Sequence, residues 1–479
     1  MTAEKNNDHN LAPTIFVLFG ATGDLAKRMV LPAFYRLSLE GLLPQQWLLV
    51  GNGRGDVAHE DFRKHVHDVL TEFGPKPEPA DWKPFAERLW FAGGGFTTDS
   101  PGSLLDDLAK ARTALGGDPQ LVHYLAIPPV AFEETTKALG QHGLVKDARV
   151  VYEKPFGTSP EKFRALDKVV HSVLDEQQVY RIDHFLGKEA TQDLHMLRFA
   201  NGLFAAMWDR EHVESVQIDV PEKLGITDRS VFYDATGAVL DMVVTHLFQV
   251  AAEVAMEPPA SLDALDLQSA REKVISSFRA LDPAEVVLGQ FTGYHDVPGV
   301  AAKSTMDTYV AARLWIDTPR WRGVPFYLRT GKRLAARDAQ IVVNFRPTPH
   351  SIFPGHNQPN KLVINLQPED GLELHLLAAK GAGQQEQLAP VSLDLDFDKA
   401  FAENRVGAYE RLLLDAIAGR LNLFVRSDEQ EQAWRWVEPI LDAWSKDGTG
   451  PRPYAAGTWG PAAASALVAR DGFAWSEEQ

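Results

Sequence analysis

Nine consecutive residues, Arg181-Ile182-Asp183-His184-Phe185-Leu186-Gly187-Lys188-Glu189, carry five ionisable side chains around one glycine. Asp183, His184 and Lys188 combine a carboxylate, an imidazole that titrates near neutrality and a fixed cation. That set suits an anionic substrate that must also lose a proton. By composition the run is equally a solvated helix start. Its position, directly after a strand expected at 178–182, favours chemistry.

A second segment lies near the N-terminus. An apolar run at 14–19 leads into Gly20-Ala21-Thr22-Gly23-Asp24-Leu25-Ala26-Lys27-Arg28. Glycines permit a tight turn and close backbone approach to a pyrophosphate, which the N–H groups of a following helix would bind. A small residue at Ala26 lets that helix pack closely on the strand. No Gly-Lys-Ser/Thr follows, so this is not a triphosphate-binding P-loop. Gly20, Ala21, Thr22, Gly23, Asp24 and Leu25 are therefore the candidate cofactor contacts.

After the second strand comes Gly51-Asn52-Gly53-Arg54. NAD-selecting sites place an acid here for the ribose hydroxyls, whereas an arginine accommodates a 2′-phosphate. Arg54 tilts the expected cofactor toward NADP, and Asp56 leaves NAD open as a weaker alternative. A surface arginine in a turn is the plainer reading. Glu153-Lys154-Pro155-Phe156-Gly157 closes the fifth strand, where Pro155 restricts Lys154 to an extended conformation at the carboxyl end of the sheet.

Residues 238–250 are apolar nearly all round, which predicts a buried helix. Its polar members Asp241, Thr245, His246 and Gln249 fall within about 140° of arc at the α-helical repeat. Buried polar groups need partners. From the residues alone, His246 is a core histidine bonded to a backbone carbonyl.

The elements that must position these groups follow from the apolar patterning. Continuous apolar runs at 14–19, 47–50, 121–126 and 150–152 alternate with helical spacing at 31–39 and 104–114. This predicts a Rossmann-like, doubly wound parallel sheet in an α/β domain over 1–180. Beyond it, strands at 308–316, 326–329, 341–345, 362–366 and 372–378, with helices at 239–250, 409–418 and 429–444, predict an α+β domain over 181–479. That second domain would hold a large, mainly antiparallel sheet.

Composition narrows the function classes. A chain of 479 residues exceeds a typical single core, in keeping with two domains. A formal net charge of −17 excludes a general nucleic-acid binder but leaves room for a local basic pocket. The absence of cysteine excludes disulfides and thiolate chemistry. No apolar run reaches membrane-spanning length, and residues 1–10 lack the apolar core of a signal peptide, so a cytoplasmic location without a membrane partner is expected.

Together these segments resemble the glucose-6-phosphate dehydrogenase family over almost the whole chain. The matching stretches are 20–28, 153–157, 181–189, Leu197-Arg198-Phe199-Ala200-Asn201, 241–249, Leu328-Arg329-Thr330-Gly331-Lys332 and Phe424-Val425-Arg426-Ser427-Asp428-Glu429. The resemblance implies oxidation of D-glucose 6-phosphate to 6-phospho-D-glucono-1,5-lactone, the first oxidative step of the pentose phosphate pathway, with hydride passing to NADP. It makes His246 the general base, against the plainer reading of that residue, and Asp183 the carboxylate that orients it. His184 and Lys188 would grip the 6-phosphate, and Lys154 would face both sugar and nicotinamide. Glu222 and Asp241 match positions that bond sugar hydroxyls. Lys332 and Arg337 match a basic pair near the substrate, and Tyr124 matches a cofactor contact. No metal is implied, and a homodimer or homotetramer is.

The sequence departs from the family pattern at Phe185, in place of a tyrosine, at Met29, in place of a basic residue, and at 227–231, in place of a more glycine-rich stretch. Each departure is expected to weaken substrate binding by roughly 1.5–3 kcal/mol.

Overall fold

The apolar runs of the N-terminal half form one sheet. The structure is a computed structural model and describes residues 11–353, 359–380, 388–400, 406–447 and 450–478. The polar start at 1–10 lies outside the described residues. Strands β1 (Thr14–Phe19), β2 (Trp47–Asn52), β3 (Leu89–Ala92), β4 (Gln120–Leu125), β5 (Arg149–Tyr152) and β6 (Val179–Ile182) are parallel, and β15 (Phe424–Val425) adds antiparallel to β6. The order β15-β6-β5-β4-β1-β2-β3 reverses direction between β1 and β4. In doubly wound sheets, the crevice at that switch point takes the ligand.

Every residue of β1 and β2 is buried, because helices cover both faces. Helix Leu31–Leu39 buries Leu31, Phe34, Tyr35 and Leu37, and Phe34 meets Phe16 of β1 at 5.0 Å and Trp47 of β2 at 5.2 Å. Aromatic contacts at these separations add to the area term and fix the helix on the sheet.

Contacts divide the chain into two units. The first comprises the chain to Gly187, Asp263–Leu265 and Val406–Ser427. The expectation of one cut at 180/181 therefore omits a return of the chain. Helix Ala408–Ala418, expected in the second domain, contributes Leu412, Leu413, Ala416 and Ile417 to the core of the first. Phe424 packs edge-on to Tyr180 at 4.8 Å. A parallel sheet needs apolar cover on both faces, and a distant segment supplies part of it.

The second unit holds a nine-stranded sheet: β7 (Val213–Pro221), β8 (Val286–Phe291), β9 (Tyr309–Trp315), β10 (Pro325–Gly331), β11 (Gln340–Phe345), β12 (Lys361–Asn365), β13 (Gly371–Ala379), β14 (Leu388–Asp396) and β16 (Arg452–Tyr454). Its order is β14-β13-β12-β11-β7-β10-β9-β8-β16. Pairing is antiparallel except for β7 with β10 and β8 with β16. This is the mainly antiparallel domain expected.

Candidate active site

The first unit carries the glycine turn. Gly20 leaves β1 at φ +75°, and a Cβ there would lie 2.3 Å from the carbonyl oxygen of Ala126, just past β4. Only glycine fits where the two chains part at the switch point. The Gly20 and Ala21 N–H groups donate to the Asn52 carbonyl at 3.0 and 3.2 Å, and the Gly23 N–H donates to Gly20 at 2.8 Å. Ala21 is buried, while Thr22 and Asp24 are exposed and Gly23 and Leu25 half-buried. Asp24 pairs with Arg28 at 2.7 Å, and Met29 is exposed on the π-helical stretch Ala26–Val30. Arg54 and Asp56 are both exposed beyond β2. The glycine turn at the switch point thus fits a dinucleotide-binding cradle, and an exposed cation, Arg54, stands just past β2.

Tyr124 offers this cradle nothing directly. It is 0% exposed in the core, and its hydroxyl donates to Glu153 Oε1 at 2.5 Å. Burial pushes the Glu153 carboxyl up; Tyr124, Lys154 and Tyr409 oppose that by donating to it or attracting its charge. A buried carboxylate is held where hydrogen bonds replace its water. Tyr124 therefore acts on the residue before Lys154, which is half-buried and joined to Pro155 by a cis bond.

The charged nonapeptide sorts its side chains by role. Arg181 turns into the core, bonding Glu176 at 2.6 Å and Asp167 at 3.0 Å while lying over the Phe156 ring. Asp183 is buried and accepts the Phe185 N–H at 2.8 Å. Phe185 is buried too, so a phenol in its place would lie in the core. His184 is half-buried against the Phe185 ring. The first stretch of the first unit ends at Gly187, and Lys188 and Glu189 belong to the second unit.

In the second unit, Lys188 Nζ donates to the Leu366 carbonyl at 3.1 Å. Burial pushes its ammonium pKa down, Asp370 opposes this, and the exposed Arg337 adds to it. Parallel pairing of β7 with β10 aligns Pro221 with Gly331, so Glu222 and Lys332 leave adjacent strands at the same end. Their side chains form an ion pair, with Asp241 Oδ2 3.9 Å from the lysine. Lys332 also lies 5.3 Å from the centre of the Tyr233 ring. Burial, then the charges of Asp241, Asp307 and Glu222, push the Tyr233 phenol well above its usual range, so it stays neutral. One cation among two carboxylates and a phenol gathers donors and acceptors that can bond several hydroxyl groups at once.

His246 is 0% exposed on the expected helix, but the helix is not α throughout. Val239–Leu247 is π-helical and Phe248–Ala255 α-helical. Thr245 Oγ1 accordingly donates to the carbonyl of Leu240, five residues back, at 2.9 Å. The polar arc read at the α-helical repeat therefore does not describe Asp241 to His246. Turns of this kind recur at functional sites.

Arg198, in the stretch 197–201, braces this helix. It donates to the carbonyls of Glu253 and Met256 at 2.7 and 2.5 Å, satisfying acceptors at the helix end. Burial pushes its guanidinium down to about 9. The Glu253 carboxylate also binds His195 and Arg271, and Arg271 binds Glu429 at 3.0 Å.

Models of the glucose-6-phosphate dehydrogenase NAD binding domain and C-terminal domain match residues 17–193 and 195–476. The chain belongs to the glucose-6-phosphate dehydrogenase family. Its first domain is accordingly the family's nicotinamide-dinucleotide-binding domain. Glucose-6-phosphate 1-dehydrogenase of Dickeya dadantii is 40% identical over 488 residues, covering 96% of this chain and 97% of that protein. The crystal structure of glucose-6-phosphate 1-dehydrogenase from Mycobacterium avium is 37% identical with a TM-score of 0.85, over 97% of this chain and 99% of the other. A glucose-6-phosphate dehydrogenase in complex with its substrate glucose-6-phosphate matches at a TM-score of 0.91 and 29% identity, with the same coverage.

Three features of this family member have no local signal in its sequence. Tyr233 beneath Lys332, the Tyr124–Glu153 bond and the His195–Glu253–Arg271–Glu429 chain each join residues far apart in sequence. Only strand register and helix packing bring them together.

Proposed function

We propose that this chain oxidises D-glucose 6-phosphate at C1 to 6-phospho-D-glucono-1,5-lactone in the cytoplasm, with NADP as hydride acceptor. The observation that carries the reading is the Glu222–Lys332–Asp241 cluster over Tyr233, in a chain of this family. Glu222, Asp241 and Lys332 bond the sugar hydroxyls and fix the ring. His184, Lys188 and Arg337 hold the 6-phosphate, a dianion that needs cations. His246 takes the proton of the C1 hydroxyl, and Asp183 keeps its imidazole oriented and stabilises the imidazolium.

Gly20 to Leu25 hold the pyrophosphate, Arg54 the 2′-phosphate, and Lys154 stands by the reacting carbon. A bound nicotinamide would supply the hydride acceptor for C1, and with His246 taking the hydroxyl proton the step calls for no metal. An absorbance assay of the reduced nicotinamide tests the reading with both sugars and both cofactors. Turnover with glucose 6-phosphate and little with glucose is expected; equal turnover of the two sugars would overturn it.

The partner is a second copy of this chain, docked on the β13–β14 part of one sheet face, since Leu362 and Ile364 of β12 are buried within the chain. Cross-strand pairs place Leu362, Ile364, Leu372, Leu374, Leu376, Val391, Leu393 and Leu395 on one side of the sheet. Leu393 is 61% exposed there, and β14 is an edge strand among the described residues. An apolar face at a sheet edge asks for cover.

A further inference from the structure

We infer that Asp307 and Thr308, with Tyr454 behind them, are positioning residues that hold the helix bearing Asp241 and His246 in register with Lys332. The inference rests on the proposed reaction and names no new group that touches substrate.

The two residues precede β9 and reach two site elements. The Asp307 carbonyl accepts the Ala238 N–H at 3.0 Å, and its Oδ2 accepts the Val239 N–H at 2.9 Å. Helix starts leave such N–H groups without intrahelical partners, and a remote acceptor serves here as the cap. Asp241 follows two residues later, within the turn that this cap fixes.

Thr308 reaches the other element. Its carbonyl accepts the Lys332 N–H at 2.9 Å. Its hydroxyl lies 3.0 Å from the Tyr454 hydroxyl and accepts the Phe291 N–H at 2.9 Å. Tyr454 lies 2.7 Å from the Lys332 carbonyl and 3.1 Å from that of Thr308. One phenolic proton serves one acceptor well. The shorter contact gives a directed chain in which Thr308 donates to Tyr454 and Tyr454 donates to Lys332. The Lys332 N–H is then fixed by the segment that caps the helix, and its carbonyl by Tyr454, which bonds the Thr308 hydroxyl of that segment.

The approach is tight as well as bonded. Gly237 has φ +65°, and a Cβ there would lie 2.5 Å from Asp307 Oδ1 and 2.6 Å from the Met306 sulfur. The carboxylate is held in place although burial opposes its charge and pushes its pKa up to about 6. A merely structural acceptor could be a backbone carbonyl. A buried carboxylate at a helix start also complements the positive end of the helix.

The test compares wild type with Asp307→Ala, Asp307→Asn and Tyr454→Phe. Readouts are kcat and KM for glucose 6-phosphate and for NADP, plus amide hydrogen exchange over residues 238–247. Asp307→Ala should lose roughly tenfold to a hundredfold in kcat/KM for the sugar phosphate, with the NADP KM held within about twofold and faster exchange at 238–247. Asp307→Asn keeps an acceptor oxygen and should recover most of that loss. Tyr454→Phe, which keeps the ring, should raise the sugar-phosphate KM about threefold to tenfold.

A wild type active on glucose 6-phosphate, with variants unchanged in KM and exchange, would overturn this inference alone. An Asn variant as poor as the Ala variant would overturn it too. Wild type inert toward glucose 6-phosphate would sink the proposed reaction and the inference together.

Discussion

The Tyr124 hydroxyl donates to the Glu153 carboxylate at 2.5 Å, with both side chains buried and Lys154 next in the chain. A residue expected at the cofactor thereby becomes a support for a residue expected at the reaction centre. Its hydroxyl compensates part of the cost of burying a carboxylate.

Tyr124→Phe should therefore destabilise the protein by about 1–3 kcal/mol, the cost of weakening a buried acceptor's bonds. Glu153 has a folded pKa above its unfolded value, so the associated stability is present at low pH and is lost as pH rises through the folded pKa. Removing a donor raises that pKa further. Denaturant unfolding across pH should show a loss that grows from acid to neutral pH; a loss independent of pH would separate Tyr124 from the Glu153 charge.

His246→Ala should lower kcat by about a thousandfold, the scale of general-base catalysis, with a small change in sugar-phosphate affinity. Lys188→Ala should act mainly on KM for glucose 6-phosphate. Steady-state kinetics separate the two roles; near-normal kcat in the His246 variant would remove it as the base.

Arg54→Ala should weaken NADP by roughly tenfold to a hundredfold, the worth of one charge-assisted contact, and NAD far less. Arg54 is exposed, so the loss should shrink as salt rises. Measured KM values for both cofactors decide this, and equal losses would exclude a 2′-phosphate role.

Asp307→Asn bears on stability as well as on catalysis. Burial holds the Asp307 carboxyl at about 6 in the folded chain, against an ordinary carboxyl value of 3.8. Its contribution is fully present below the unfolded pKa and is lost as pH rises through the folded one. An asparagine cannot ionise, so the variant should gain up to about 3 kcal/mol on wild type between acidic and alkaline pH. Thermal melts of the pair at several pH values read the difference directly.

Leu393→Lys should convert the proposed dimer to monomer without unfolding the chain, since Leu393 is exposed within the chain and a single charge disfavours burial in an apolar contact. Light scattering coupled to size exclusion gives the mass. A mass unchanged from wild type would place the contact elsewhere.

Local patterning carried much of this protein. Strands buried on both faces read as unbroken apolar runs, so β1, β2, β4 and β5 could be recognised along with the turn after β1. The chemistry of the nonapeptide, the Glu-Lys-Pro turn and the helix at 238–250 was likewise visible in residue types and spacing. Strand β7, the partner that brings Glu222 to Lys332, gave no such signal, because the buried polar residues Ser215, Gln217 and Asp219 break its apolar run. The return of Val406–Ser427 to the first unit was hidden for a related reason: a helix's apolar face does not say which core it covers.

The sequence by itself determined which side chains could do chemistry and which strands would carry them. Tertiary structure decided their partners. It turned Arg181 inward, set Tyr124 on Glu153, and capped the helix of His246 with Asp307, 68 residues from Val239. A buried polar group must find its partner, but nothing local specifies where in the chain that partner lies.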